Sequence, residues 1–370
     1  MARPKKENTE EASQSVDQID QILSDKQFKG LHYGSAAGTE IKARDIISTG
    51  SFFFDQALGG GFRGASWSRF YAEPESGKSA QGLRWGKNWQ DHYGEQGFVV
   101  VFNAEGRITK ELLDRSGIST HPSKFRMINT NNADFIYTIT EKLIQENVND
   151  YKYFFMVDST DACQRSHDSE KTIGEAEKIG GGATIISAAG KRLSLLFTIH
   201  EHHLYMTSQV RDKLNTHGPA AGGKDASGGN APKFYSSLTG QIQKHWSDLS
   251  IRETGDPKSK EIGRFVSIKL MKTYNESTGQ IVQFPVKYGH IGGIWSEYEA
   301  KMLAETWGFL TKKGAWFEFS EEFIEKLKAS NITVEKVKFQ GDPAVREVFE
   351  SNPDLVKYIF DSSKDRFKIE

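Results

Sequence analysis

The chain has 370 residues, of which 37% are hydrophobic and 26% are charged, so it is long enough for a large globular domain with smaller flanking parts. No apolar run approaches the roughly 18 to 20 residues of a membrane span, and the single cysteine, Cys163, excludes an intrachain disulfide framework. Both features predict a cytoplasmic protein that does not enter a membrane. The net charge of −1 excludes a strongly basic chain, so any binding of nucleic acid requires a local site.

Three segments of the chain differ in their residue patterns. Residues 1–45 are polar and end in a Gly- and Ala-rich linker, which predicts either a disordered terminus or an N-terminal arm for oligomerisation. Residues 46–295 alternate apolar strands with helices and are predicted to form an α/β core with a mostly parallel sheet covered on both faces. Residues 296–370 are helical and charged around a G-A-W-F-E-F stretch, which predicts a small separate α+β C-terminal domain.

The predicted elements of the core follow one another in a regular order. Strands are expected at 67–72, 98–103, 153–158 and 204–210, and helices at 78–93, 133–145 and 183–197. Three further strands, at 238–246, 264–274 and 281–288, come after a Gly-rich segment, and the turn N-E-S-T-G-Q between the last two favours an antiparallel hairpin. Trp85 and Trp89 stand at helical spacing and are predicted to pack against the sheet.

The segment A-E-P-E-S-G-K-S, which begins at Ala72, fits the phosphate-loop pattern between a predicted strand and a predicted helix. Backbone N–H groups at the start of that helix are expected to hold phosphates. Lys78 is expected to reach the β- and γ-phosphates, and the hydroxyl of Ser79 to hold Mg²⁺. The predicted nucleotide-binding residues are Glu73, Pro74, Glu75, Ser76, Gly77, Lys78 and Ser79.

Two carboxylates that follow apolar strands complete the predicted site. Asp158 ends Y-F-F-M-V-D, a position at the carboxyl end of a strand where a carboxylate binds the metal ion together with Ser79. Glu105 ends F-V-V-V-F-N-A-E and is placed either to orient a water for attack on the γ-phosphate or as an ordinary surface carboxylate. The predicted metal ligands are therefore Ser79 and Asp158, and the predicted catalytic residues are Lys78 and Glu105.

Several motifs in one order resemble the RecA family of homologous recombinases. P-E-S-G-K-S resembles its phosphate loop, N-A-E the strand end with its catalytic glutamate, M-V-D-S its Walker B strand and M-T-S-Q-V-R its switch strand. G-G-N-A-P-K-F-Y resembles its second DNA-binding loop, and K-K-G-A-W-F-E-F a segment of its C-terminal domain. The resemblance runs from about residue 45 to 320. It implies a RecA-type P-loop ATPase core that uses ATP and Mg²⁺.

The resemblance also assigns roles to residues outside the phosphate loop. It implies that Gln209 senses the γ-phosphate and that Lys272 contacts the ATP of a neighbouring protomer. The DNA-binding residues that it implies are Ser187, Lys191, Arg211, Gly228, Gly229 and Asn230. These roles describe an ATP-dependent recombinase that self-associates into a helical filament on single-stranded DNA and exchanges strands with homologous double-stranded DNA.

Four residues depart from the pattern of the family. Ala72 replaces the first glycine of the phosphate loop, which a negative φ would tolerate, and Glu75 adds a charge that lies beside the triphosphate or points outward. Leu112 replaces a tyrosine that stacks on adenine, and Tyr274 replaces a second lysine that crosses to the neighbour. The divergence and the aromatic-rich core are more similar to phage-encoded recombinases of the UvsX kind than to bacterial ones, which implies the cytoplasm of a bacterial host.

Two other functions remain open from the sequence. A ring-forming motor or helicase-like ATPase could use the same core and has no need of G-G-N-A-P-K-F-Y. A non-catalytic DNA-binding mediator of recombination is favoured slightly by Ala72, Glu75 and Tyr274. The presence of all four of the residues Lys78, Ser79, Glu105 and Asp158 argues against it.

Overall fold

The computed structural model describes residues 45–169, 181–212, 224–226, 231–244 and 249–366, which belong to one compact unit, Arg44–Glu370. The predicted N-terminal arm lies outside the described residues. Within the described ranges, no helix is both long enough and apolar enough to cross a membrane.

The strands and helices alternate through most of the core. The strands are β1 (Ile46–Ile47), β2 (Phe62–Arg63), β3 (Ser66–Ala72), β4 (Gly97–Asn103), β5 (Phe125–Ile128), β6 (Lys152–Asp158), β7 (His203–Asp212), β8 (Lys224–Ala226), β9 (Leu238–Ile242), β10 (Ser250–Arg252), β11 (Glu261–Lys272), β12 (Ile281–Lys287), β13 (Leu310–Lys313), β14 (Trp316–Phe319) and β15 (Lys338–Gln340). The helices are α1 (Phe52–Ala57), α2 (Lys78–Tyr93), α3 (Lys110–Ser116), α4 (Ala133–Gln145), α5 (Ser166–Ser169), α6 (Gly181–His200), α7 (Ala231–Tyr235), α8 (Ser296–Thr306), α9 (Glu321–Ala329), α10 (Asp342–Ser351) and α11 (Pro353–Arg366).

The central sheet has the strand order β10-β11-β9-β3-β7-β6-β4-β5, with β12 also paired to β11 and β8 to β7. The pairs from β9 through β3, β7, β6 and β4 to β5 are all parallel, and β10, β11 and β12 add an antiparallel extension. The prediction of a mostly parallel α/β sheet is therefore confirmed. Because β3, β7, β6 and β4 are adjacent and parallel, the residues that follow them meet at one edge of the sheet.

Both faces of the sheet are covered, as the apolar strands predicted. Val99 of β4 joins Trp85 and Trp89 of α2 in one buried cluster, and the next residue, Val100, joins Phe197 of α6 in a cluster on the other face. Burial of such large apolar side chains contributes roughly 1.5 to 3 kcal/mol each. The prediction that the two tryptophans pack against the sheet is confirmed, since neither side chain has any exposed surface.

The antiparallel part of the sheet differs in detail from the predicted strands. The strand predicted at 238–246 ends at Ile242, and β11 begins three residues before the predicted start at Arg264. The short edge strand β5 and helix α3 carry no long apolar run and were not predicted. In β5 the middle residues, Arg126 and Met127, are exposed, which removes the apolar signal of a buried strand.

Residues after Ser296 have their own core and their own sheet. β13, β14 and β15 form a three-stranded antiparallel sheet whose apolar side chains pack with those of α8, α9, α10 and α11. This α+β content agrees with the prediction, while the boundary between residues 295 and 296 stays a prediction. The segment is joined to α1 by Glu299, whose carboxylate accepts hydrogen bonds from the Ser51 hydroxyl at 2.5 Å and the Phe52 N–H at 3.0 Å.

Candidate active site

The phosphate loop connects β3 to α2 and leaves the start of the helix without a side-chain cap. Gly77 stands immediately before the helix with φ of 91°, a conformation that favours glycine, and no side chain bonds to the first N–H groups of the helix. Ala72 is not among the residues of positive φ, so alanine is tolerated there. Glu75 has φ of 61° and is exposed, which shows that its charge points outward in this arrangement.

Lys78 lies folded over its own loop. Its ammonium group donates to the carbonyl oxygens of Ala72 at 3.0 Å and Glu73 at 2.9 Å. Burial lowers the pKa of Lys78, and the charges of Asp158 and Glu105 oppose that shift. A phosphate held by the N–H groups of the loop would offer this ammonium a charged acceptor, and charge-assisted hydrogen bonds are about twice as strong as neutral ones.

Asp158 and Ser79 are brought together as the sequence predicted for a metal site. Asp158 is buried at the end of β6, and its Oδ1 accepts a hydrogen bond from the Thr207 hydroxyl at 2.6 Å. Burial raises the pKa of Asp158, while hydrogen bonds from Ser79 and Thr207 act in the opposite direction. A hydroxyl beside a carboxylate at the start of a phosphate-binding helix is a ligand set that suits Mg²⁺.

Glu105 lies just after β4 and contacts the predicted sensor, Gln209. Its Oε1 accepts hydrogen bonds from the Ser159 hydroxyl and from Nε2 of Gln209 at 3.4 Å, and its Oε2 lies 3.4 Å from the Arg107 guanidinium. Only 16% of the Glu105 side chain is exposed, so it is not an ordinary surface carboxylate. This contact joins the catalytic candidate to the strand that leads toward the second predicted DNA loop.

Gln209 itself is held in place through its backbone. Its N–H donates to Oδ2 of Asp161 at 2.6 Å, while its side chain reaches Glu105. The sequence analysis did not identify Ser159, Asp161 or Thr207. Signals existed for all three: Ser159 directly follows M-V-D and Asp161 comes two positions later. Thr207 lies two positions before Gln209 and thus on the same face of β7.

A cavity of about 260 Å³ opens at the start of α2 and continues between α3 and the antiparallel strands. Leu112 lines it, together with the apolar side chains of Ile242, Val266, Phe284 and Val286. Tyr288 completes the wall, and its hydroxyl donates to Glu261 at 2.5 Å. A flat base would therefore find an apolar pocket here despite the loss of the tyrosine at position 112, because small-molecule pockets are mostly apolar with a few polar groups.

Part of the predicted DNA-binding set lies within the described residues. Ser187 is half-buried and Lys191 exposed on α6, four positions apart and so on one face of the helix. Arg211 belongs to β7, but its side chain is not described. Gly228, Gly229 and Asn230 lie outside the described residues.

Lys272 is far from the phosphate loop of its own chain. It pairs with Thr239, near the beginning of β9, whereas the phosphate loop follows the end of the parallel strand β3. Its ammonium donates to the carbonyl oxygens of Lys233 at 3.1 Å and Phe234 at 3.2 Å in α7. Any contact of Lys272 with ATP therefore requires a second protomer.

Tyr274 contacts residues of its own chain. Its hydroxyl accepts a hydrogen bond from the Arg63 N–H at 3.5 Å and lies 3.3 Å from the Ser66 hydroxyl, and burial raises its pKa. The side chain at this position thus fixes β2 to the sheet.

The fold and the site are those of a P-loop nucleotide-binding protein, in which β3, β7, β6 and β4 carry the phosphate loop, Gln209, Asp158 and Glu105 in that spatial order. The chain belongs to the RecA family, because the family model of the RecA N-terminal domain matches residues 12–293. Membership makes it an ATP-binding protein of DNA recombination and repair.

The chain aligns with individual relatives over nearly its full length. The chain is 26% identical to protein RecA of Leptospira biflexa over 361 residues, which are 96% of this chain and 84% of the relative. It is 28% identical to protein RecA of Mannheimia haemolytica over 340 residues, or 89% of this chain and 85% of the relative. The similarity is therefore not confined to the phosphate loop. A phage origin stays a prediction.

Proposed function

We propose that this protein is a DNA-dependent ATPase that forms helical filaments on single-stranded DNA and exchanges strands with a homologous duplex. The contact between Glu105 and Gln209 carries the proposal, because it connects a carboxylate suited to hydrolysis with the strand that precedes the second DNA loop. In a non-catalytic mediator there would be no reason to keep Lys78, Asp158 and Glu105 around one loop.

The residues of the site divide the work of hydrolysis. The N–H groups before α2 and the ammonium of Lys78 bind the triphosphate, and Ser79 with Asp158 would hold Mg²⁺, whose charge offsets that of the phosphates. Glu105 accepts a proton from the attacking water. Its hydrogen bonds from Ser159 and Gln209 fix the direction of the carboxylate.

Strand β7 would couple the nucleotide site to DNA, because it carries Gln209 and precedes the second predicted DNA-binding loop. Gln209 would report the γ-phosphate through its side chain, and β7 continues from it toward the loop that carries Gly228, Gly229 and Asn230. Lys191 and Ser187 would contact DNA from α6. Lys272 would complete the site of the neighbouring protomer, so hydrolysis and filament assembly depend on each other. Sequence is compared by base pairing, and affinity should come mostly from phosphate contacts and fall with salt.

The first test is ATP hydrolysis with and without single-stranded DNA, with negative-stain microscopy of the same samples. Turnover that DNA stimulates, together with open helical filaments, is the expected result. Closed rings without stimulation would indicate a motor instead, and filaments on DNA without any turnover would indicate a mediator.

Glu105→Gln is the sharpest variant for the catalytic assignment. It should lower turnover about 100-fold or more, as expected when a general base is lost, and leave binding of single-stranded DNA intact. Glu95→Gln is a matched control, because the Glu95 side chain is 89% exposed and pairs with Lys124 away from the loop. Normal turnover in Glu105→Gln would refute the assignment.

A further inference from the structure

One arginine from the antiparallel part of the sheet lies against the phosphate loop. Arg264 of β11 pairs with Val286 of β12 and with Ser250 of β10. Its side chain lines the 260 Å³ cavity at the start of α2 together with Ser76 and Gly77. It also lines a second cavity, of about 210 Å³, on the outer side of the same loop.

The space above Gly77 is open except for this guanidinium. A Cβ placed on Gly77 would have Nη2 of Arg264 at 3.8 Å as its one neighbour within 4 Å among the described residues. This is the stretch of backbone whose N–H groups face outward without a side-chain cap. An anion held there would lie between the helix and the arginine.

Elsewhere in the described structure, Arg264 interacts electrostatically with Tyr288, where its charge opposes the rise of the Tyr288 pKa that burial causes. Its guanidinium makes no hydrogen bond or ion pair with any described residue, and it is half-buried. Two other cationic side chains that line the cavity have partners in the protein. Arg84 donates to the carbonyl of Gly292, and Lys287 pairs with Glu350 at 2.6 Å. A half-buried arginine without a partner is costly unless a ligand supplies the anion.

We propose that Arg264 binds the phosphate chain of the nucleotide from within the same protomer, opposite the N–H groups at the start of α2. The inference rests on the proposed nucleotide site. Arg264 is then a specificity residue, because it raises the affinity for ATP and ADP, which carry phosphates, and adds nothing to the affinity for adenosine, which carries none. Because it acts within one chain, its contribution is present before any filament forms.

The test compares Arg264→Gln and Arg264→Lys with the unaltered chain, using displacement of a fluorescent ADP analogue by ATP, ADP and adenosine. Arg264→Gln should weaken ATP and ADP roughly 10- to 100-fold, the effect of a lost charge-assisted hydrogen bond, and leave adenosine unchanged. Arg264→Lys should retain part of the affinity, because the charge remains. Lys269→Gln removes a charge from the same strand at a position outside both cavities and should change nothing.

The outcomes separate the inference from the proposed function. If the unaltered chain binds ATP but Arg264→Gln binds ADP as tightly as the unaltered chain does, the inference is wrong and the ATPase proposal stands. The same conclusion follows if Arg264→Gln loses affinity for adenosine to the same extent as for ADP. If the unaltered chain binds no ATP, both fail. Thermal unfolding without nucleotide should not be lowered in Arg264→Gln or Arg264→Lys, since the guanidinium makes no hydrogen bond or ion pair with a described residue.

Discussion

Glu299 is a buried carboxylate that caps a helix in another part of the fold. Only 1% of the residue is exposed, and its two oxygens accept hydrogen bonds from Ser51 and Phe52 at the start of α1. Burial raises the pKa of Glu299 from 4.5 to about 7, while these hydrogen bonds act in the opposite direction. Glu299 interacts electrostatically with two half-buried residues, the Asp55 carboxylate and the Arg84 guanidinium.

The raised pKa fixes the sign and size of a pH effect. A group that binds its proton more tightly in the folded chain stabilises the fold at low pH, and this contribution is lost as pH rises from 4.5 to 7. At 1.36 kcal/mol for each pKa unit, the loss between pH 5 and pH 8 is about 2.5 kcal/mol. Glu299→Gln has no such proton, so the stability of the unaltered chain relative to this variant should fall by about 2.5 kcal/mol over that range.

Urea unfolding followed by tryptophan fluorescence at pH 5, 6, 7 and 8 measures this difference. Titrating groups that do not interact with Glu299 cancel, because both chains contain them. Glu297→Gln, which removes a carboxylate from the same helix, is the control. A difference for Glu299→Gln that stays constant, or changes in the opposite direction, would refute the reasoning.

Two further variants test packing and electrostatics around the site. Gly82→Ala should destabilise the fold by about 1 to 3 kcal/mol in thermal melts, because the new Cβ would lie 2.6 Å from the Tyr205 ring; Gly255→Ala, with open space, should stay within about 0.5 kcal/mol. Thr207→Val removes the hydroxyl that donates to Asp158, so the pKa of Asp158 should rise further. The rising limb of the ATPase pH profile should then move to higher pH. Thr207→Ser keeps the hydroxyl and should leave that limb in place.

The phosphate loop and the parallel strands were predictable because their signals are local. A strand, a G-K-S turn and a helix follow each other directly, and α2 has the predicted bounds. Asp158 and Glu105 were identified because each follows an apolar strand. Their approach to one loop depends on the strand order, which the sequence pattern does not contain and which entered through the resemblance to a family.

Contacts between distant segments could not be predicted in this way. Glu299 lies in S-E-Y-E-A-K, which has the composition of an exposed helix, yet its partner Ser51 is 248 positions away. Arg264 reaches the phosphate loop only because β11 lies beside β9, which in turn pairs with β3. In both segments the charged residues predict an exposed surface, whereas tertiary packing buries Glu299 and half-buries Arg264.

The bonds of Gln209 limit how a signal can pass through it. Its backbone N–H is tied to Asp161 at 2.6 Å. Gln209 also pairs with Ala72 of β3, and the next residue, Val210, pairs with Ala226 of β8, so a shift of the backbone would disturb both pairings. The side-chain bond to Glu105, at 3.4 Å, is the weaker of the two and costs less to exchange. A γ-phosphate would therefore act first on the side chain of Gln209, and its loss on hydrolysis would return that amide to Glu105, the proposed general base.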